Sequence, residues 1–363
     1  MSRKKLVILH FNVLEKYPPT LNFISDALAQ KSLHKISVIT SINNSPYKNR
    51  SFPGVKILRL GSTSKNAVLR YSSYLIYNFI GTLVLLLKRP DAVIVYETLS
   101  IFPAFVYSKI FPKKKIHVHY HEYISLPEKE AASSYLKFLY KCEDNLLIKC
   151  TCSQTNDDRK VLFLKDNVNL KSENVSVFPN MPPKSWWTEF GQTKKPWDGG
   201  KIKLVYVGVL DAETMFLEEV LEWVYQHPSE LELTMFSQDV SSSALKLISR
   251  YESESIVLKT AIDYIELPHE LIKYDIGLVL YNGHIPNYVY NVPNKVFEYL
   301  YSGIKVLSDI CLYSVAKLNS KDIMLTEFKH IQKCELSILK DFLSSNNLKT
   351  IKSNEYPTLI EQI

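Results

Sequence analysis

Two groups of polar residues in this sequence have the types and spacing to do chemistry. The first is His121-Glu122, a proton acceptor beside a carboxylate that could meet a substrate hydroxyl. An isolated pair of this kind also serves to cap or order a loop. The second comprises Asn291, Asn294, Lys295 and Glu298, within Asn291-Val-Pro-Asn-Lys-Val-Phe-Glu-Tyr-Leu-Tyr-Ser-Gly303. Pro293 suits the first turn of a helix, and Val296, Phe297, Leu300 and Tyr301 then fall on one buried face. Gly303 is placed to end that helix in a left-handed conformation, ahead of a short buried strand, Ile304–Leu307. The polar residues left over sit at the helix start. Free N–H groups and the helix dipole attract anions there, so a Lys suits a phosphate. Glu298, an acceptor-only carboxylate, suits the paired hydroxyls of a sugar. Taken alone, the stretch reads more simply as an ordinary helix with a solvated Lys and Glu on its outer face.

The elements that would position these residues alternate between strand and helix. Short apolar runs mark buried strands at Leu6–Leu9, Ile36–Thr40, Val55–Leu60, Ala92–Tyr96, Lys115–Tyr120, Cys150–Ser153 and Val175–Phe178. Helical patterns fall between them at about 21–30, 74–87, 101–110, 133–150 and 156–164. The pattern restarts with Lys203–Gly208, followed by strands at 231–236, 255–258, 276–281, 304–307 and 323–325 and helices at 216–225, 267–273 and 335–343. This alternation predicts two doubly wound parallel α/β domains. They span 1–183 and 201–345, joined by a Pro-rich linker over 184–200, with a C-terminal tail at 346–363 that packs back on the first domain. In doubly wound sheets ligands bind beyond the carboxyl ends of the strands. His121-Glu122, Glu97-Thr98, Gly208, Lys259 and the Asn282–Lys295 loop all fall there. Two such faces across a hinge predict a ligand cleft.

Composition narrows the function class. The chain has 363 residues, 46% hydrophobic and 22% charged, ordinary for two globular cores. A net charge of +7 fits an anionic substrate or an anionic membrane lipid. No basic stripe with interleaved aromatics accompanies it, so no nucleic-acid partner is expected. Five cysteines, an odd number, read as reduced thiols in the cytoplasm. No ligand pairs with metal spacing occur, and Gly208 is a lone glycine rather than a dinucleotide-binding G-x-G-x-x-G. The N-terminus runs into a strand and leaves no room for a signal-peptide core. Tyr74–Leu87, the most apolar segment, is too short to span a bilayer. It is expected to be a helix buried against the sheet, the alternative being a helix lying in a membrane interface.

In this order the chain resembles GT-B-fold glycosyltransferases, nearest the family 4-like group of bacterial surface-polysaccharide enzymes. Pro293–Val306 looks like the donor-binding helix of that group, and Tyr120-His-Glu-Tyr123 is similar to its loop facing the transferred sugar. Val177-Phe-Pro-Asn180 resembles the end of its N-terminal domain. Leu204–Gly208 and Tyr274–Leu280 resemble strands of its donor domain. The resemblance implies two Rossmann-like domains facing a cleft and metal-independent transfer of a sugar from a nucleotide-sugar. The acceptor would be a glycan, lipid-linked, at the cytoplasmic face of the plasma membrane with peripheral membrane association. The nucleotide-sugar would be a co-substrate, with no bound cofactor or metal. It implies His121 and Glu122 as catalytic residues, Glu298 on the ribose, and Asn291, Asn294, Lys295, Lys259 and Gly208 around the diphosphate.

The sequence also departs from the group. A second Glu, eight positions before the ribose-binding one in some members, is Tyr290 here. The usual Arg and Lys after the Gly208 strand are missing, and the first loop carries Tyr17-Pro-Pro-Thr20 in place of glycines. Two alternatives remain open on the sequence: a sugar-nucleotide epimerase of the same fold, and a non-catalytic GT-B subunit that binds a partner transferase.

Overall fold

The structure, a computed structural model, describes residues 4–29, 34–45, 47–64 and 66–345; the tail expected over 346–363 lies outside them. The chain divides between Asn180 and Met181 into two compact units.

The first unit is built on seven parallel strands: β1 (Lys4–His10), β2 (His34–Thr40), β3 (Lys56–Arg59), β4 (Ala92–Tyr96), β5 (Lys115–His119), β6 (Thr151–Gln154) and β7 (Val175–Val177). Their order, β3-β2-β1-β4-β5-β6-β7, reverses direction between β1 and β4. Helices α1 (Pro18–Ala29), α2 (Ala67–Lys88), α3 (Ile101–Ile110), α4 (Leu126–Ala131), α5 (Ser134–Leu147) and α6 (Asp157–Asp166) form the connections. Every residue of β4 is buried, and so are Leu6 to Leu9 of β1. Strands covered on both faces need unbroken rather than alternating apolar residues, which is why these runs are readable in the sequence.

The second unit has six parallel strands: β8 (Ile202–Val207), β9 (Leu231–Phe236), β10 (Ile256–Lys259), β11 (Ile276–Val279), β12 (Lys305–Asp309) and β13 (Ile323–Thr326). The order is β10-β9-β8-β11-β12-β13, and the reversal falls between β8 and β11. Its helices are α7 (Lys184–Trp186), α8 (Leu217–Gln226), α9 (Ser242–Arg250), α10 (Leu267–Leu271), α11 (Pro286–Val289), α12 (Asn294–Tyr301), α13 (Tyr313–Ala316) and α14 (Leu336–Ser344). Residues 184–200 open with α7 and a further helical turn. Trp186 and Phe190 from this segment join the core of the second sheet with Phe297 and Tyr301.

Three local expectations are revised. Helix α2 is 22 residues long, not fourteen, starting from Asn66, whose side chain accepts the Leu69 N–H. It buries only Ser73, Tyr77, Asn78, Gly81 and Leu85, so it is not buried against the sheet as a whole. A helix with apolar residues on more than one face gives no sign in its sequence of which stripe will pack. Helix α12 starts at Asn294, and Pro293 stands just outside it in an extended conformation (φ −60°, ψ 147°). Helix α9 was not expected, because its Ser-rich start reads as loop; Ser241 caps it by accepting the Ala244 N–H. Among the described residues no helix is long and apolar enough to cross a membrane.

Candidate functional site

In the first unit the candidate residues gather where the strand order reverses, at the carboxyl ends of β1, β4 and β5. Crevices open at such reversals because neighbouring connections leave on opposite faces of the sheet. Glu97 follows β4 with φ +62° and ψ 160°, a region nearly exclusive to glycine. A strained backbone of this kind persists only where its surroundings over-determine it, and here they do. The Glu97 N–H bonds the His119 carbonyl (3.2 Å), and the next residue, Thr98, donates to the buried Glu143 carboxyl (2.6 Å). The Glu97 side chain accepts the backbone N–H of His121 at 2.5 Å and that of Glu122 at 3.3 Å. Burial first, and the Glu122 charge second, raise the Glu97 carboxyl to about 8. From the other side Arg159, wholly buried on α6, donates to the His121 carbonyl and to Thr155 Oγ1. The His121-Glu122 loop is thus held at both ends of one peptide.

His121 itself is buried in a stack of rings. Tyr96 lies against it at 5.1 Å between centroids, with His119 edge-on at 4.9 Å and His10 at 5.9 Å. Burial, followed by the neighbouring imidazoles, lowers His121 well below the ordinary histidine range. It is therefore neutral at pH 7. Its Nδ1 faces Asn180 Oδ1 at 3.3 Å, an oxygen that can only accept, which assigns the ring proton to Nδ1. Nε2 is then a bare acceptor, and it has no protein partner among the described residues. A neutral, oriented imidazole nitrogen has the chemistry to accept from a hydroxyl, although the atom is buried from solvent in this structure. Glu122 is exposed, so the adjacent pair differs in environment.

In the second unit Gly208, Lys295 and Glu298 come together at the reversal between β8 and β11. Gly208 leaves β8 at φ +138°, and a Cβ there would stand 3.1 Å from the Lys295 ammonium. Lys295 is buried rather than solvated. Its Nζ donates to Tyr206 Oη at 3.1 Å and lies 4.3 Å from the Tyr206 ring centroid and 4.8 Å from that of Tyr281. Two aromatic faces hold the cation at the start of α12 without neutralising it. Glu298, one turn on, is 7% exposed, and among the described residues nothing donates to its carboxylate. Burial raises it to about 7, with Lys295 pulling in the opposite direction. Both side chains contradict the solvated outer face that the stretch alone suggests.

The remaining residues sit further out. Asn291 and Asn294 are half-buried on either side of Pro293. Lys259 is exposed at the end of β10, its ammonium over the Phe236 ring at 5.6 Å. Register places Val207, Phe236 and Lys259 side by side across three strands. Lys259 thus shares the rim but makes no contact with Lys295. Tyr290 meets Tyr313 edge-on at 5.8 Å. Sequence reasoning marks the positions of Glu97, Asn180 and Tyr206 but assigns them no role, and it overlooks Tyr281. The rule that ligands meet strand ends could have drawn attention to Tyr206, Tyr281 and Asn180. Among the described residues no group of three or more His, Cys, Asp or Glu is placed to hold a metal ion.

Neither a protein-family model nor a curated protein sequence matches the chain. Solved structures do. Sucrose-phosphate synthase from Thermosynechococcus elongatus superposes with a TM-score of 0.69 at 13% identity, over 95% of this chain and 92% of that one. The lipopolysaccharide outer core galactosyltransferase WaaB, in its apo form, gives 0.59 at 14% identity, over 93% and 88%. An E. coli structure described as trehalose-6-phosphate bound with UDP-2-fluoro glucose gives 0.64 at 14% identity, over 95% and 92%. These neighbours are GT-B glycosyltransferases, and with two parallel-sheet α/β units this chain has their fold.

Proposed function

We propose that the protein is a glycosyltransferase that moves a sugar from a nucleotide-sugar to a glycan acceptor. The observation that carries this reading is the pairing of Lys295 with Glu298 at the N-terminus of α12. A buried cation and a buried carboxylate without a donor suit a diphosphate next to a ribose. Lys295 and the first N–H groups of α12 stabilise the negative charge that builds on the departing nucleoside diphosphate. That role asks for no metal. Glu298 accepts from the ribose hydroxyls, and Gly208 leaves room for the phosphates beside Lys295. Asn291, Asn294 and the rim residue Lys259 complete the donor side. His121 Nε2 accepts from a hydroxyl of the transferred sugar or the acceptor, and Glu122 presents a charged carboxylate beside it.

The UDP-2-fluoro glucose in the E. coli neighbour makes a uridine diphosphate sugar the first donor to test. The acceptor we propose is a lipid-linked glycan of a surface-polysaccharide pathway, met at the cytoplasmic face of the membrane. The epimerase and non-catalytic alternatives are supported by no particular residue.

A thermal-shift panel of nucleoside diphosphates and nucleotide-sugars tests donor binding, and radiolabelled transfer to membrane extract tests the reaction. His121→Ala and Glu122→Ala should lower transfer far more than donor affinity. Equal losses in both would make the loop structural, and a protein that no nucleotide stabilises would remove the reading altogether.

A further inference from the structure

Helix α2 is amphipathic the wrong way round. Its buried stripe carries Ser73, Tyr77, Asn78, Gly81 and Leu85; Tyr77 and Leu85 join the core, and Ser73, Tyr77 and Asn78 make polar contacts that dock the helix. Ser73 Oγ accepts the Ser62 N–H (2.9 Å), Tyr77 donates to the Ile39 carbonyl (3.2 Å), and Asn78 Nδ2 reaches Tyr135 Oη (2.7 Å). Gly81 lets α3 approach closely, since a Cβ there would stand 3.3 Å from Pro103. The opposite stripe is apolar and open: Val68 is 74% exposed, Leu75 63%, Ile76 47%, Phe79 67%, Leu83 42% and Leu87 82%. From Leu75 and Ile76 onward these positions recur every three or four residues. Tyr71, 38% exposed, fills the step back to Val68, and together they line one side of the helix. Single exposed apolar residues occur on any protein, whereas a contiguous run along about 29 Å of helix marks an interaction surface.

The charges around the stripe indicate what covers it. Between Asn66 and Lys115 the basic residues are Arg70, Lys88, Arg89, Lys109, Lys113, Lys114 and Lys115, against only Asp91 and Glu97. Asp91 is already engaged by Lys114 at 2.7 Å, and Glu97 lies under the His121 loop. Arg89 sits over the Phe111 ring at 5.7 Å, which gathers the basic end of α2 with the exposed Lys109 in the last turn of α3 and Lys113 beyond it. Helix α2 itself carries no carboxylate. A second copy packed on this stripe, parallel or antiparallel, would bring Arg70 and Arg89 against one another, and α2 carries no acid to match them; Lys88 is turned away, donating to Ser37 Oγ at 3.0 Å. An anionic bilayer surface meets both features at once, taking the apolar stripe into its acyl boundary and the flanking cations among its headgroups.

We propose that α2 is a membrane-docking helix that lies flat in the interface of an anionic lipid surface through Val68, Leu75, Phe79, Leu83 and Leu87. The helix does not span the bilayer. The inference stands apart from the transfer reaction, because vesicle binding and nucleotide binding are read separately and either can fail alone.

Co-sedimentation of the full chain with phosphatidylcholine vesicles, with and without phosphatidylglycerol, tests it. The expected result is binding to the anionic vesicles that weakens with salt. The double variant Leu75→Glu/Phe79→Glu changes only exposed side chains and should lose about tenfold or more in vesicle affinity, with its thermal melt unchanged. Arg70→Glu/Lys113→Glu should lose the preference for anionic lipid. Three results would overturn the proposal. One is no binding by the wild-type chain, and another is equal binding by the wild type and the Leu75→Glu/Phe79→Glu variant. The third is a concentration-dependent dimer, abolished by that variant and without vesicle binding, which would give the stripe to a second copy.

Discussion

The ring of Tyr299 lies across the Cα of Gly277, occupying the space a side chain there would need. Tyr299 comes from α12 and Gly277 from β11, so the contact seats α12 directly on the sheet. The Tyr299 hydroxyl then enters the ladder between β8 and β11. It accepts the Val207 N–H at 3.2 Å and donates to the Leu278 carbonyl at 3.4 Å. Register between these two strands covers only Ile276 with Leu204 and Gly277 with Val205. Beyond that point the phenol takes the place of the ladder, and the strands part where Gly208 and Lys295 meet.

Removing that hydroxyl should therefore weaken the second unit from inside. Tyr299→Phe keeps the ring on Gly277 but leaves a buried N–H and a buried C=O without their partner, at a cost of about 1–3 kcal/mol. Gly277→Ala forces the ring off the strand and should cost a comparable amount through overpacking. Denaturant titration measures both. Because the two changes act on one contact, the double variant should cost less than the sum of the single ones. Additive losses would mean that the contact does not seat α12.

The Glu298 carboxyl, raised to about 7, makes donor affinity depend on pH if its charged form holds the ribose. Going from pH 6 to pH 8 the ionised share rises from about a tenth to about nine tenths, so affinity should improve close to tenfold. Glu298→Gln should flatten that dependence and weaken binding at pH 8 by about 1.5–3 kcal/mol. Isothermal titration with UDP at the two pH values reads both effects. An unchanged affinity in the variant would remove Glu298 from the donor site.

Why Glu298 and Lys295 are legible as positions but not as environments follows from where their neighbours come from. The helix around them is written locally, in the spacing of Val296, Phe297, Leu300 and Tyr301. The burial of Lys295 is written by Tyr206, 89 positions earlier in the chain, through a contact that no local pattern contains. The same holds for Glu97. Its place after a buried strand is plain, but its weight comes from a left-handed backbone and from two N–H groups of a loop 24 and 25 residues on. Helix α2 shows the converse limit. Its apolar content is evident, yet the sequence hides that Ser73, Asn78 and Gly81 face inward.

Glu97 should make the first unit less stable as pH rises. Its folded carboxyl is raised to about 8 against about 4.5 when unfolded. Between those values the folded state holds the extra proton, so the contribution is complete below pH 4.5 and is lost as pH rises toward 8. Screening discounts the loss, because Glu97 is half-buried as a residue, and about 2 kcal/mol between pH 5 and pH 8 is the expected scale. Glu97→Gln keeps an oxygen for the His121 and Glu122 N–H groups and cannot ionise. Its stability should be flatter over this range, and higher than wild type at pH 8. A variant that is equally pH-dependent would show that the carboxyl is already ionised in the fold.

On the acid side the buried histidines act in the opposite direction, and magnitudes decide which effect wins. His10 and His117 are lowered to about 3 and His119 to about 4, in each case chiefly by burial. A histidine whose folded value is depressed contributes stability that is complete above its unfolded value of about 6.5 and is lost as pH falls below it. At pH 5 each of the three withdraws about 2 kcal/mol, some 6 kcal/mol together. Glu97 returns only about 1–2 kcal/mol over the step from pH 7 to pH 5. Glu143 and Asp144, also raised chiefly by burial, return part of the loss as well, while the lowered His121 adds to it, and the histidines remain the larger group. The first unit should therefore unfold between about pH 5 and pH 4, ahead of the second unit, which holds none of these three histidines. Thr151 and Ser153 bracket His117 at 2.8 Å on both ring nitrogens, so His117→Gln replaces a titrating group within a polar site. That variant should shift the acid transition to lower pH. Tryptophan fluorescence, whose four indoles all lie in the second unit, follows that unit alone, while far-UV dichroism follows both, so the two transitions can be told apart. Coincident transitions would mean that the histidines are not what limits the first unit in acid.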